Sequence, residues 1–414
     1  MYGYTQHRIG DFMAYGSGNG LPASLYYSVF QSSDGYLWIG SSSGLVRFDG
    51  KRYKVFFSDY RDDHSIADNV IVDIAEDHEQ NLWLAGFYQG LTKYNLRTGS
   101  IQRYSSPAKD GTHAYGINKV IKDDADEIWA ATAGHGLAHY LTQKDSFEFF
   151  IPDPLRPYDG SDRQSNHVTD IAIDKADPNI LWLSCFDGLY WFDKKLKKFQ
   201  RFFYIEPGQE DVPLNFLCVE TDEKNKIWLG TWYLGLMSFD KTTHQFESYP
   251  FADLSISNKL HYQVLDIKSV ADTTLYLASR NSGLLSFHKK TREIHPELTN
   301  EHLPDGSSGI DIQRISITPD AGIFVGGNYY IYQKHAAFNR FGKSLDFHYG
   351  AGFSVEQIAY DKFRHGYWAA TTDAGGVFFL PKDMSGMVLF PSENKTDHHF
   401  LDVAVDNKYC VWAV

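Results

Sequence analysis

Seven short stretches hold the most varied side chains in the sequence: Ser41-Ser42-Ser43, Phe87-Tyr88-Gln89, Ala133-Gly134-His135, Phe186-Asp187, Trp232-Tyr233-Leu234, Arg280-Asn281-Ser282 and Asn328-Tyr329-Tyr330. Each follows a short apolar run with an aromatic residue in it, so each holds the same place in a recurring unit. Four of the seven carry aromatics. Aromatic faces beside Asn, Asp, Arg and His suit a sugar: its apolar faces stack and its hydroxyls take polar partners. Trp232 and Tyr233 are the first choice for a ligand platform. His135, Asp187, Arg280 and Asn281 would be polar partners, with Tyr88 and Tyr329 across the mouth. The competing reading is of surface turns that vary freely and whose aromatics pack on their neighbours.

Other chemistries find less support. The sequence has no HExxH, no GxSxG, no Walker loop and no Rossmann fingerprint. Carboxylates are abundant, but nothing pairs them for glycoside cleavage. His398 and His399 are adjacent, which on a strand sends them to opposite faces and not to one metal. Cys185, Cys218 and Cys410 are scattered, and read as small apolar residues rather than a disulfide or metal set. The expectation is a binding protein without cofactor, metal or catalytic group. A net charge of −13 argues against nucleic acid or an anionic membrane as partner. No apolar run is long enough to cross a bilayer. Met1 to Ala14 lacks the apolar core of a secretory signal, so the chain is either cytosolic or without its targeting segment.

The variable stretches are held by a repeat. The anchors are Trp38, Trp83, Trp129, Trp182, Trp228, Tyr276, Phe324, Trp368 and Trp412, at intervals of 45, 46, 53, 46, 48, 48, 44 and 44 residues. After most of them comes Gly-Leu: Gly44-Leu45, Gly90-Leu91, Gly136-Leu137, Gly188-Leu189, Gly235-Leu236 and Gly283-Leu284. A period in the forties without a helical pattern signals a propeller or a solenoid. Four strands fit each unit. In the second, Val70, Val72 and Ile74 alternate, Glu79-Gln80-Asn81 turns, and Leu82 to Ala85, Leu91 to Tyr94 and Ile101 to Tyr104 follow. The run around each anchor is apolar at nearly every position, so both faces of its sheet are covered. Gly40, Ala85, Ala130, Gly230, Ala278 and Gly326 follow their anchors and permit inner strands to crowd toward an axis. A radial propeller meets both conditions. Asp77, Asp123 and Asp222 precede their anchors by six residues, as does Asp406, and are read as acceptors for turn amides.

Val29 to Gly40, followed by Gly44-Leu45-Val46-Arg47-Phe48-Asp49, resembles the two-component regulator propeller repeat. The resemblance runs from about Leu21 to Val414 and weakens at Asn328 to Ile331, which lacks Gly-Leu. It implies seven-bladed propellers, often two in tandem, in the periplasmic or extracellular sensor of a kinase or diguanylate cyclase. The implied partners are a small-molecule or oligosaccharide ligand and downstream kinase or cyclase domains, and a homodimer is compatible with it. A protein-interaction scaffold is the second functional reading and a propeller lyase or hydrolase the third. Direct membrane contact by this stretch is not expected.

Nine anchors exceed seven by two. The expectation is therefore an all-β chain with a seven-bladed ring over residues 1–350 and the first, incomplete blades of a second propeller over 351–414. A single eight-bladed ring is the alternative. Asp11 to Tyr15 reads as a lone fourth strand that could join the last blade and close the ring. The competing fourth strand would lie near Phe341.

Overall fold

The computed structural model describes residues 7–9, 12–16, 21–22, 25–49, 52–104, 116–155, 166–206, 214–223, 225–251, 263–280, 282–299, 311–318, 322–328, 330–335, 354–361, 364–372, 376–381, 388–391, 403–405 and 410–413. All regular structure among them is β. The chain falls into two compact units, Met1–Asn339 and Arg340–Val414.

The first unit holds seven antiparallel sheets, six of four strands and one of five. Their first strands are Tyr26–Gln31, Ile71–Glu76, Ile117–Lys122, Val168–Ile173, Phe216–Thr221, Val264–Ala271 and Ile312–Ile317. Each touches the next, and Ile312–Ile317 returns to Tyr26–Gln31, so the inner strands form a closed circuit. The sheets are called blades one to seven in that order. In blade seven the outer strand comes from the other end of the chain. Phe12–Tyr15 pairs with Ile331–His335, in the register Phe12↔Lys334 to Tyr15↔Ile331, and His7–Ile9 adds a fifth strand outside it. Phe12–Tyr15 thus occupies the fourth position of blade seven, and Phe341 lies outside the described residues.

The second strands carry the anchors and are the most buried. In Asn81–Gly86 every residue is buried. Trp38, Trp83, Trp129, Trp182 and Trp228 lie on these strands and are at most 4% exposed. Each tryptophan packs on the aromatic of the next blade's third strand: Trp38 on Tyr94, Trp83 on Tyr140, Trp129 on Phe192, Trp182 on Phe239 and Trp228 on Phe287, with ring centroids 4.5–5.9 Å apart. Such pairs contribute about 0.5–1.5 kcal/mol each beyond burial. The core therefore lies between blades, which explains why one unit could not fold alone. Close approach explains the small residues: a Cβ on Gly40 would lie 2.5 Å from the Ile71 carbonyl oxygen, and one on Gly326 would lie 2.6 Å from that of Tyr26.

The repeated aspartates do more than cap turns. Asp77 Oδ1 accepts from the amides of Glu79 and Asn81, as expected, while its Oδ2 accepts the indole N–H of Trp83 at 2.8 Å. Asp123, Asp174 and Asp222 bind Trp129, Trp182 and Trp228 in the same way. Ser32 takes this role for Trp38. A lysine of the following blade then clasps three of these carboxylates: Lys194 on Asp123, Lys241 on Asp174 and Lys289 on Asp222.

The second unit contains a four-stranded sheet, Ser354–Asp361, Gly366–Thr372, Gly376–Pro381 and Val388–Pro391, and a two-stranded sheet, Val403–Val405 with Val411–Ala413. Trp368 is buried and donates to Asp361, which reproduces the blade pattern of the first unit. Asp406 lies outside the described residues.

Candidate functional site

The turns between second and third strands are fixed to the start of their own blade. The amides of Ser42, Phe87, Ala133, Trp232, Arg280 and Asn328 donate to the carbonyls of Leu25, Val70, Gly116, Asn215, Gln263 and Asp311, just before the first strands. Glycine at the end of the turn has positive φ, 78° at Gly90 and 75° at Gly235, which lets the chain reverse without strain. This construction gathers the variable turns around the end of the ring where the first strands begin.

There the turns of blades two, three and four border a cavity of about 800 Å³. Its rim is aromatic: Phe87 and Tyr88 from blade two, His135 from blade three, His167 and Phe186 from blade four. Its wall is formed by the start of each first strand, including Tyr27, Asn118, Gln313 and Arg314. The rings are ordered against one another. Phe87 meets Tyr88 edge-on at 4.8 Å, and His167 stacks on Phe186 at 4.3 Å. Burial lowers the His135 pKa below its ordinary value, which favours the neutral imidazole.

Below this cavity the axis is closed by charge. Each first strand has a register shift near its start, and the residues just past it are Ser28, Asp73, Lys119, Asp170, Cys218, Asp266 and Arg314. The three aspartates lie in blades two, four and six. Each accepts an amide from the next blade: Val120 to Asp73, Val219 to Asp170 and Ile315 to Asp266. Lys119 pairs with Asp73 at 3.4 Å and Lys268 with Asp266 at 3.5 Å. Burial works against the Asp266 carboxylate, but Lys268, Arg314 and Lys119 outweigh it and hold its pKa below the ordinary value. On the far side lies a second cavity of about 1250 Å³, whose lining includes Glu76, Asp77, His78, Arg97, Lys122, Lys175 and Glu220.

The residues singled out from the sequence divide among these surroundings. Tyr88 and His135 line the aromatic cavity together. Trp232 is 40% exposed and stands edge-on to Phe186 at 6.5 Å, beside the lining. Asp187 is buried; its Oδ2 lies 3.0 Å from Arg201 Nη2 and accepts the Tyr190 hydroxyl. Tyr233 packs against the apolar cluster around Phe216 and Met237, and its phenol pKa is raised by burial and by nearby Glu206. Arg280 lies 3.7 Å from Asp311 and donates to Gln263. Asn281 and Tyr329 lie outside the described residues. The turns alone did not reveal Tyr27, Asn118, Gln313 and Arg314. A readable signal existed: each stands one or two residues after the start of its first strand, where that strand enters the ring.

Comparison with known proteins agrees with this architecture. Residues 20–43 match the family model described as two component regulator propeller. The matched repeat is blade one from its entry to the turn before Gly44. No curated protein sequence matches the chain. Among solved structures, similarity extends to the extracellular domain ascribed to hybrid two component system BT3049 of B. thetaiotaomicron, at 18% identity and TM-score 0.58, over 95% of this chain and 50% of that one. The extracellular domain ascribed to one component system BT4673 of the same organism gives 16% identity and TM-score 0.60, over 98% and 51%. The WD40 β-propeller domain of Doa1 gives 12% identity and TM-score 0.55, over 77% and 95%. These likenesses establish the propeller fold. The chain spans about half the length of the two extracellular domains.

Proposed function

We propose that this chain is the ligand-binding region of a periplasmic or extracellular sensor, and that it reads a saccharide at the aromatic mouth of the first ring. The observation that carries this reading is the cavity of about 800 Å³ with Phe87, Tyr88, His135, His167 and Phe186 converging on its rim. Aromatic faces bind the apolar faces of a sugar ring, and Asn118, Gln313 and neutral His135 supply donors and acceptors for hydroxyls. In this reading the chain binds rather than catalyses, and kinase or cyclase domains elsewhere in the polypeptide produce the output. The similarity to two-component and one-component extracellular domains, and to about half of their length, supports this arrangement. It also supports residues 351–414 as the opening blades of a second propeller.

Calorimetry against a panel of oligosaccharides tests the reading. The parent chain should bind at least one, and Phe186→Ala should weaken that binding several-fold without lowering the melting temperature appreciably. Binding that survives loss of Phe186 and of Tyr88 alike would place the ligand elsewhere.

A further inference from the structure

We propose that the saccharide bears an anionic group, a carboxylate or a sulfate, seated over Arg314; this rests on the reading above and specifies the ligand class. The chain as a whole carries a net charge of −13. Yet among the described residues lining the aromatic mouth there is no aspartate or glutamate, and Arg314 is their one lysine or arginine. A surface so acidic elsewhere would repel an anion, and this concavity is where that repulsion is relieved.

The surroundings of Arg314 explain why its charge faces one way. Asp73, Lys119 and Lys268 line the opposite cavity, and Asp170 and Asp266 line neither. The guanidinium therefore rests against a layer of acids, and Arg314 lines the aromatic cavity and not the opposite one. Nη2 donates to the Asn118 carbonyl at 3.2 Å. Nη1 is sealed from solvent on the acid side, 3.9 Å from Asp266 Oδ1, an oxygen that also faces Lys268. Burial alone would lower the Arg314 pKa, but Asp266, Asp170 and Asp73 more than offset it and keep the side chain charged. A guanidinium that is the one lysine or arginine of an acid-free described lining suits a carboxylate or sulfate. The remaining ring of such a sugar would lie against Tyr88 and Phe186.

The test uses matched pairs: uronate-containing oligosaccharides against the same sugars with the carboxyl reduced, and sulfated oligosaccharides against their desulfated forms. Calorimetry of the parent chain should show the anionic member of at least one pair binding tenfold or more tightly, with the preference shrinking as salt is added. Arg314→Gln should abolish the preference and Arg314→Lys should keep part of it, with thermal melting to confirm folding. Should Arg314→Gln not fold, the paired comparison on the parent still decides. Equal binding of neutral and anionic members would overturn this inference and leave the saccharide reading standing. No binding of any member would overturn both.

Discussion

The two cavities of the ring lie toward opposite ends of its first strands, and they differ in how their charges are satisfied. In the larger, acids and bases meet in pairs across blades: Lys119 with Asp73, Lys175 with Glu220. In the smaller, among the described lining, a single guanidinium sits under a rim of rings. Paired charges in a tight layer favour one assembled state, whereas exposed aromatic surface contributes little to holding the ring. The difference teaches that charge count alone does not mark a binding end; what matters is which groups lack an internal partner.

The comparison can be broken hardest at the layer between the cavities. Asp266→Ala leaves Lys268, Arg314 and the Ile315 amide without their shared acceptor. Urea unfolding should show a loss of about 3–5 kcal/mol, the usual consequence of removing one partner from a buried charge set. A loss below about 1 kcal/mol would mean that water replaces the carboxylate and that the layer is not structural. On the aromatic side the effect should fall on binding instead. Tyr88 is 57% exposed, so Tyr88→Ala should change stability by less than about 0.5 kcal/mol. Saccharide affinity should drop several-fold, in line with about 0.5–1.5 kcal/mol for one stacking ring. Trp232→Ala sharpens the boundary of the site: it should weaken binding less than Tyr88→Ala, because Trp232 stands beside the lining.

The smallest effect is one of pH. Burial raises the Glu220 pKa despite Lys268 and Lys175 nearby. A carboxyl with a raised folded pKa stabilises the fold fully only below its unfolded value, and that contribution is lost as pH rises through the folded value. Glu220→Gln should therefore raise the melting temperature relative to the parent at neutral pH. The gain should fade as pH drops toward 4.5, the ordinary value for the group. A gain that is independent of pH would mean that Glu220 is not the group responsible.

The propeller was legible because its determinants are local and repeated. An indole followed by a small residue and then Gly-Leu records a buried strand, a close approach and a reversal within about ten residues. The N-terminal strand was legible for the same reason, since Phe12 to Tyr15 has the pattern of an outer strand without a blade of its own. The aspartates were half legible. Their turn-capping role follows from sequence distance, but the bond from Asp77 to Trp83 depends on the hairpin register that sets Ala75 opposite Trp83. The site was the least legible. Tyr88 and His135 announced themselves in variable turns. Arg314 and Asn118 are separated by 196 residues and meet only because a ring brings blade seven near blade three. Asp187 shows the converse: its turn faces the right end, but Arg201 of the same blade claims the carboxylate.

Seven is an odd number, and the layer of aspartates has to live with that. Acid alternates with non-acid from blade two through blade seven, and on an odd ring such an alternation cannot meet itself in step. Two non-acid positions must fall side by side, and they are Arg314 of blade seven and Ser28 of blade one. The parity fault thus coincides with the junction that the N-terminal strand closes. It places Arg314 where one of its two neighbours around the ring is not an acid. In a ring of six or eight blades with the same alternation, every such position would be flanked by acid on both sides. The polarity of the ring, with paired charges at one end and a lone guanidinium among aromatic turns at the other, is on this view a consequence of counting.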